Sequence, residues 1–184
     1  RFMAKKSTFD HPVSGPLMRS MHHIPVDRAA GAGSMDHAVQ WLRDGEVVGV
    51  FPEATISQSF EVKDFKSGAV RMAAEAGVPI VPMITFGGQR LWTKGHPRQM
   101  TRGTLVALTV GEPMTVTAQD DPLEAIASLR SRMQSLYDQT IQNYQPKPEP
   151  EAWWWPARFG GGAPTLEQMR AQEAADRAAR ESGD

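Results

Sequence analysis

The chain has 184 residues and a formal net charge of -1, from 20 Lys+Arg and 21 Asp+Glu. That length suits one domain, or one domain plus a tail, with a core that needs no covalent staples. The absence of cysteine excludes disulfides, thiolate catalysis, zinc–thiolate sites and iron–sulfur clusters within these residues, and the near-zero charge argues against a strongly basic nucleic-acid binder.

In chain order, Ile24 and Val26 predict a short strand. Ser34 is placed to cap a helix that carries Met35, Ala38, Val39 and Leu42 on one face and stops at Gly45. Val47, Val48, Val50 and Phe51 form an apolar run, the pattern of a buried parallel strand. Ala69 to Ala76 is rich in alanine, and Gly77 follows as a helix terminator. Val78, Ile80, Val81, Met83 and Ile84 make a further strand. Pro79 and Pro82 cannot donate to its ladder, so it is expected to be irregular or at an edge. Leu105, Val106, Leu108 and Val110 make another. Asp121-Pro122 opens the clearest helix, with Leu123, Ile126, Leu129, Met133, Leu136, Tyr137, Ile141 and Tyr144 at helical spacing. This alternation predicts an α/β fold, with a mainly parallel sheet flanked by helices.

Composition changes at Pro146. A domain over 1–145 is expected, followed over 146–184 by a Pro/Trp/Gly-rich linker and a charged, partly helical tail. Trp153, Trp154 and Trp155 suit either a membrane interface or packing on the domain, and packing is favoured. From Thr165 onward the mixed charges read as a solvated face. The longest apolar stretches, such as Val78–Phe86, are far shorter than the ~20 residues of a transmembrane helix, and no signal peptide is visible.

Phe51-Pro52-Glu53-Ala54-Thr55-Ile56-Ser57 directly follows the Val47–Phe51 run. In open α/β sheets, ligands gather beyond the carboxyl ends of strands. The segment offers hydroxyls, backbone N–H groups and one carboxylate there; its plain alternative is a polar loop capped by Thr55 or Ser57. His23-Ile24-Pro25-Val26-Asp27-Arg28 ends another strand on an Asp-Arg pair. Arg28 can fork onto a phosphate or carboxylate, or simply pair with a chain neighbour. Gly68 and Ala69 permit close backbone approach, or tight packing. His11, His37 and His96 lack metal-ligand spacing with a carboxylate and read as structural or surface groups.

Together these pieces resemble the glycerophospholipid acyltransferases of the PlsC type, the 1-acylglycerol-3-phosphate acyltransferases. Phe51–Ser57 is similar to that family's Phe-Pro-Glu-Gly-Thr-Arg-Ser block, Ile24–Arg28 to its block ending in Asp-Arg, and Val78–Met83 to its Val-Pro-Ile-Val-Pro block. Ala4-Lys5-Lys6 resembles the segment that opens on Ala-Lys. The order and spacing match, over residues 1 to about 110. The resemblance implies a glycerol-3-phosphate acyltransferase-like α/β fold. It also implies transfer of a fatty acyl group from acyl-CoA or acyl-carrier protein to a lysophospholipid hydroxyl in phospholipid biosynthesis, at the inner face of the cell membrane. No cofactor, no metal and no nucleic-acid partner is expected. Glu53, Ala54 and Thr55 would help hold the acceptor, while Arg28 and Lys5 would face its phosphate.

Ala54 stands where the family usually has Gly, and Ile56 where it usually has Arg. Either the acceptor is a lysophospholipid other than lysophosphatidic acid, or Arg28 and Lys5 alone hold the phosphate. The family's catalytic His-x-x-x-x-Asp pair lies a few tens of residues before the Asp-Arg block. It is expected upstream of residue 1, in a chain that starts on Arg rather than Met, so these residues alone are expected to be inactive. The formal match His22–Asp27 overlaps the Asp-Arg block, and an offset of five puts the two side chains on opposite faces of a strand. A non-catalytic lipid- or phosphate-binding module of the same fold is the alternative, motivated by Ala54 and Ile56. An α/β hydrolase is disfavoured, because no Gly-x-Ser-x-Gly elbow occurs.

Overall fold

The structure is a computed structural model that describes residues 1–27 and 33–182. It divides into two compact units. The first holds residues 1–54, 65–82 and 112–129; the second holds 55–64, 83–111 and 130–184.

In the first unit, β1 (Met3–Lys5) pairs in parallel with β2 (Ile24–Val26), Met3 opposite Ile24 and Lys5 opposite Val26. The expected strand at Val47–Phe51 is reduced to one parallel bridge, Phe2 to Gly49. Even so it runs beside β1: Gly49 N–H donates to Arg1 O at 2.6 Å, and Met3 N–H to Gly49 O at 2.9 Å. Only one face of this pass is covered. Val48 and Val50 pack inward, whereas Val47 and Phe51 stay exposed. Phe51 stacks on exposed Phe2 with 6.2 Å between ring centroids.

The inner face meets α3 (Gly33–Arg43) and α4 (Gly68–Ala76). Ile24, Ala38, Val39 and Met72 form the buried cluster, flanked by Met3, Met35, Trp41, Leu42, Val48 and Val50. Burying Ile24, Val39 or Met72 contributes roughly 1.5–3 kcal/mol each. Ser34 does not cap α3: the helix already begins at Gly33, so Ser34 lies within its first turn. The carboxyl end of α4 does follow the expected chemistry. Gly77 takes φ 70 at the end of α4, and its N–H returns to Ala73 O. No atom lies within 4 Å of where a Cβ at Gly68 would be, so tight packing does not explain that glycine. Two short helices, α1 (Lys6–Asp10) and α2 (Ser14–Ser20), connect β1 to β2.

In the second unit, β3 (Met83–Phe86) begins immediately after Pro82 and pairs antiparallel with β4 (Ala107–Val110). Between the two prolines Ile80 makes an isolated antiparallel bridge with Met114, so Pro79 and Pro82 interrupt the pairing on either side of it, as their missing N–H groups require. Among the described residues, parallel pairing is confined to the first unit. Helix α5 (Pro122–Asn143) contributes its amino-terminal turns to the first unit and the rest to the second. Asp121 Oδ1 accepts from Leu123 N–H at 2.8 Å and fixes its start.

The core of the second unit is aromatic. Phe86 meets Tyr144 edge-on at 5.3 Å and Trp155 at 5.4 Å. Trp155 is buried, so this part of the tryptophan cluster packs inward as expected. The tail departs from a fully solvated face. Helix α6 (Leu166–Ser182) buries Met169 completely. Its start is a reciprocal capping box: Thr165 Oγ1 accepts from Gln168 N–H at 3.2 Å, and Gln168 Oε1 from Thr165 N–H at 2.9 Å.

Candidate functional site

Three chain passes in the first unit run in the same direction, so their carboxyl ends lie on one side. β1 is central and ends on Lys5, followed by Lys6. β2 ends on Val26, followed by Asp27. The pass through Gly49 ends on Pro52 and Glu53. From the Phe2–Gly49 bridge, three further residues reach Lys5 on one pass and Pro52 on the other. This is where open α/β sheets place ligands.

Lys5 is exposed at this end. Lys6 Nζ lies 3.6 Å from Asp27 Oδ2, with the Lys6 side chain exposed and that of Asp27 partly so. An exposed pair of that kind is worth about 0–1 kcal/mol, so Lys6 is readily redirected to an anion. Arg28 follows Asp27 in sequence but falls outside the described residues. Glu53 is half-buried.

Pro52-Glu53-Ala54 is a tight turn. Ala54 N–H donates to Phe51 O at 3.1 Å, and Lys66 N–H donates to Pro52 O at 2.8 Å. Ala54 has φ 58, the left-handed region that favours glycine. The departure from glycine at this position therefore strains the backbone itself. Thr55 and Ile56 belong to the second unit and are exposed. Ser57 is occupied: its Oγ donates to Glu61 O at 2.8 Å and lies 2.9 Å from Ser59 Oγ.

His22 and Asp27 are not brought together. His22 precedes the amino end of β2 and Asp27 follows its carboxyl end, so the whole strand separates them. The remaining histidines have structural work or lie at the surface. His23 Nδ1 accepts from Phe2 N–H at 3.1 Å. His11 Nδ1 accepts from Val13 N–H at 3.2 Å. His96 stacks on Trp153 at 3.8 Å, and His37 is exposed on α3. Among the described residues no ion pair joins a histidine to a carboxylate, and no group of three or more His, Asp or Glu side chains could hold a metal. No described helix is long and apolar enough to cross a membrane.

A second polar cluster was not anticipated. Arg158 links Glu61 to Asp138, at 3.0 Å from Glu61 Oε2 and 2.5 Å from Asp138 Oδ1. The hydrogen bond with Asp138 and the nearby carboxylate charges hold the Arg158 guanidinium above its ordinary pKa, against the opposing pull of burial. Nothing local in the sequence announces this cluster, because its members lie far apart along the chain.

A family model described as Acyltransferase matches residues 1–85. The 1-acyl-sn-glycerol-3-phosphate acyltransferase of Bacillus subtilis is 33% identical over 117 residues, covering 61% of this chain and 53% of that protein. The enzyme of the same name from Limnanthes douglasii is 38% identical over 97 residues, covering 50% of this chain and 34% of that protein. The chain thus spans from about a third to a half of the length of these curated relatives. The crystal structure of the 1-acyl-sn-glycerophosphate (LPA) acyltransferase PlsC from Thermotoga maritima aligns with a TM-score of 0.60 at 21% identity, over 79% of this chain and 58% of that one. That likeness supports the α/β fold. The four motif blocks all fall within the residues that the family model matches, and over that region the chain is similar to the PlsC-like glycerophospholipid acyltransferases.

Proposed function

We propose that this chain carries the acceptor-binding part of a 1-acyl-sn-glycerol-3-phosphate acyltransferase in phospholipid biosynthesis. The observation that supports it best is the common carboxyl end of three parallel passes, on or just after which Lys5, Lys6, Asp27 and Glu53 fall. Lys5 and Arg28 would bind the acceptor phosphate by charge-assisted hydrogen bonds. Glu53, Ala54 and Thr55 would orient the glycerol, through the carboxylate, the turn backbone and the hydroxyl.

The acceptor hydroxyl oxygen then bonds to the thioester carbonyl carbon as the carbon–sulfur bond breaks. Its proton passes to a histidine base oriented by an aspartate, and ends on the departing thiol. That His-x-x-x-x-Asp pair would lie outside these 184 residues, since His22 and Asp27 stand at opposite ends of β2. The acyl donor would be acyl-CoA or acyl-carrier protein. The protein would work at the inner face of the cell membrane, held peripherally at its surface.

The second reading, a non-catalytic lipid- or phosphate-binding module, is favoured by one feature. Ile56 is an exposed apolar side chain where the related block has arginine, which removes a bidentate phosphate donor. The test is acyl transfer by the full-length protein to lysophosphatidic acid, with each donor in turn. Phosphatidic acid formed at the expense of the thioester supports the first reading. Saturable lysophosphatidic acid binding without any transfer supports the second.

A further inference from the structure

Residues 55–64 form a loop without helix or strand, yet Ser59, Glu61, Val62 and Lys63 within it are buried. Two of these carry charge, and charge is buried only when it is paired. The partners come from the far end of the chain. Arg158 Nε donates to Glu61 Oε2 at 3.0 Å, and Glu173 Oε1 accepts from Lys63 Nζ at 2.6 Å. Arg170 Nη2 donates to Asp64 Oδ2 at 2.8 Å. Met169 Sδ lies 3.7 Å from Ser57 Oγ, and Trp153 meets Phe60 edge-on at 6.1 Å.

These contacts run from Ser57 to Asp64 and begin two residues after Thr55. The clamping segment is itself anchored. Arg158 also grips Asp138 on α5, and the capping box starts α6 three residues before Met169. A loop with no ladder of its own takes its shape from such anchors.

We propose that the segment from Trp153 to Glu173 is a positioning clamp for the loop that carries Thr55, with Arg158 acting through Glu61. Arg158 is a positioning residue: it touches the loop and would not touch substrate. The consequence for the acceptor rests on the acyltransferase reading above, whereas the clamp itself stands without it.

Hydrogen exchange read by mass spectrometry on the full-length protein tests the clamp. In Arg158→Ala, peptides covering 55–64 are expected to exchange about tenfold faster, while peptides of β3 and β4 keep their rates. Arg158→Lys restores part of the protection, because an ammonium keeps the charge but loses the fork. Acceptor KM rises several-fold, with kcat and donor KM held. Glu173→Gln is the milder variant should Arg158→Ala fail to fold, and it is expected to speed exchange at 61–64 alone. Unchanged exchange at 55–64, or equal acceleration throughout the second unit, overturns the clamp. A wild-type protein without acyl transfer overturns the acyltransferase reading instead, and leaves the exchange data to decide the clamp.

Discussion

Arg158 Nε and Glu61 Oε2 meet at 3.0 Å across 97 residues of chain. The Glu61 side chain is 7% exposed and that of Arg158 42%, so the carboxylate depends on the pair more than the guanidinium does. A double-mutant cycle of Arg158→Ala and Glu61→Gln, read by urea unfolding, is expected to give a coupling of about 1–3 kcal/mol. That is less than for a fully buried pair, because solvent screens Arg158. The raised pKa of Arg158 sets the sign of any pH effect. Its stabilisation is fully present below the ordinary arginine value and is lost only as pH rises beyond it. The coupling is therefore expected to stay flat from about pH 6 to pH 9.

Ala54 sits at φ 58, where an alanine is strained and a glycine is not. Ala54→Gly is expected to raise stability by up to about 1 kcal/mol. The relieved left-handed strain of about 1–2 kcal/mol is partly offset by the greater chain entropy of glycine. Ala54→Val should destabilise, since β-branching makes positive φ worse. Urea midpoints at constant slope measure both; a loss of stability in Ala54→Gly contradicts the strain.

Much of the core was legible because it is local. The apolar faces of α3 and α5 follow the 3.6-residue period, except that Leu123 in the first turn of α5 is exposed, and Gly77 stops α4 where a left-handed residue was expected. β1 was not foreseen as a strand: Met3-Ala4-Lys5 carries no strand pattern, and parallel pairing with β2 creates it. The pass at Val47–Phe51 was expected to be buried on both faces. Its outer face is bare, so two of its four large apolar side chains meet solvent. At the carboxyl ends, the position of Glu53 after an apolar run was readable from the sequence, whereas Lys5 entered only through the motif resemblance, since no strand was expected before it. The Glu61–Arg158 and Lys63–Glu173 pairs were not readable, since no short-range period links residues about a hundred positions apart. The docking of α6 had one available signal, the Thr165-x-x-Gln168 capping box before a lone Met169.

Gly161 is held against backbone. A Cβ there would lie 1.9 Å from Trp155 O, so neither side can yield cheaply. Gly161→Ala is expected to cost about 1–3 kcal/mol and to loosen the packing of Trp155. Thermal unfolding followed by tryptophan fluorescence checks this. An unshifted melting point contradicts the close approach.

The central claim is that an acceptor phosphate binds at the carboxyl ends of β1 and β2. The most direct test is the acceptor KM of the full-length protein for lysophosphatidic acid and for a neutral monoacylglycerol, in the wild type and in Lys5→Ala and Arg28→Ala. Loss of a charge-assisted hydrogen bond is expected to raise the KM for lysophosphatidic acid by roughly 10–100-fold, leaving the neutral acceptor unaffected. Equal effects on both acceptors, or none on either, would contradict the account.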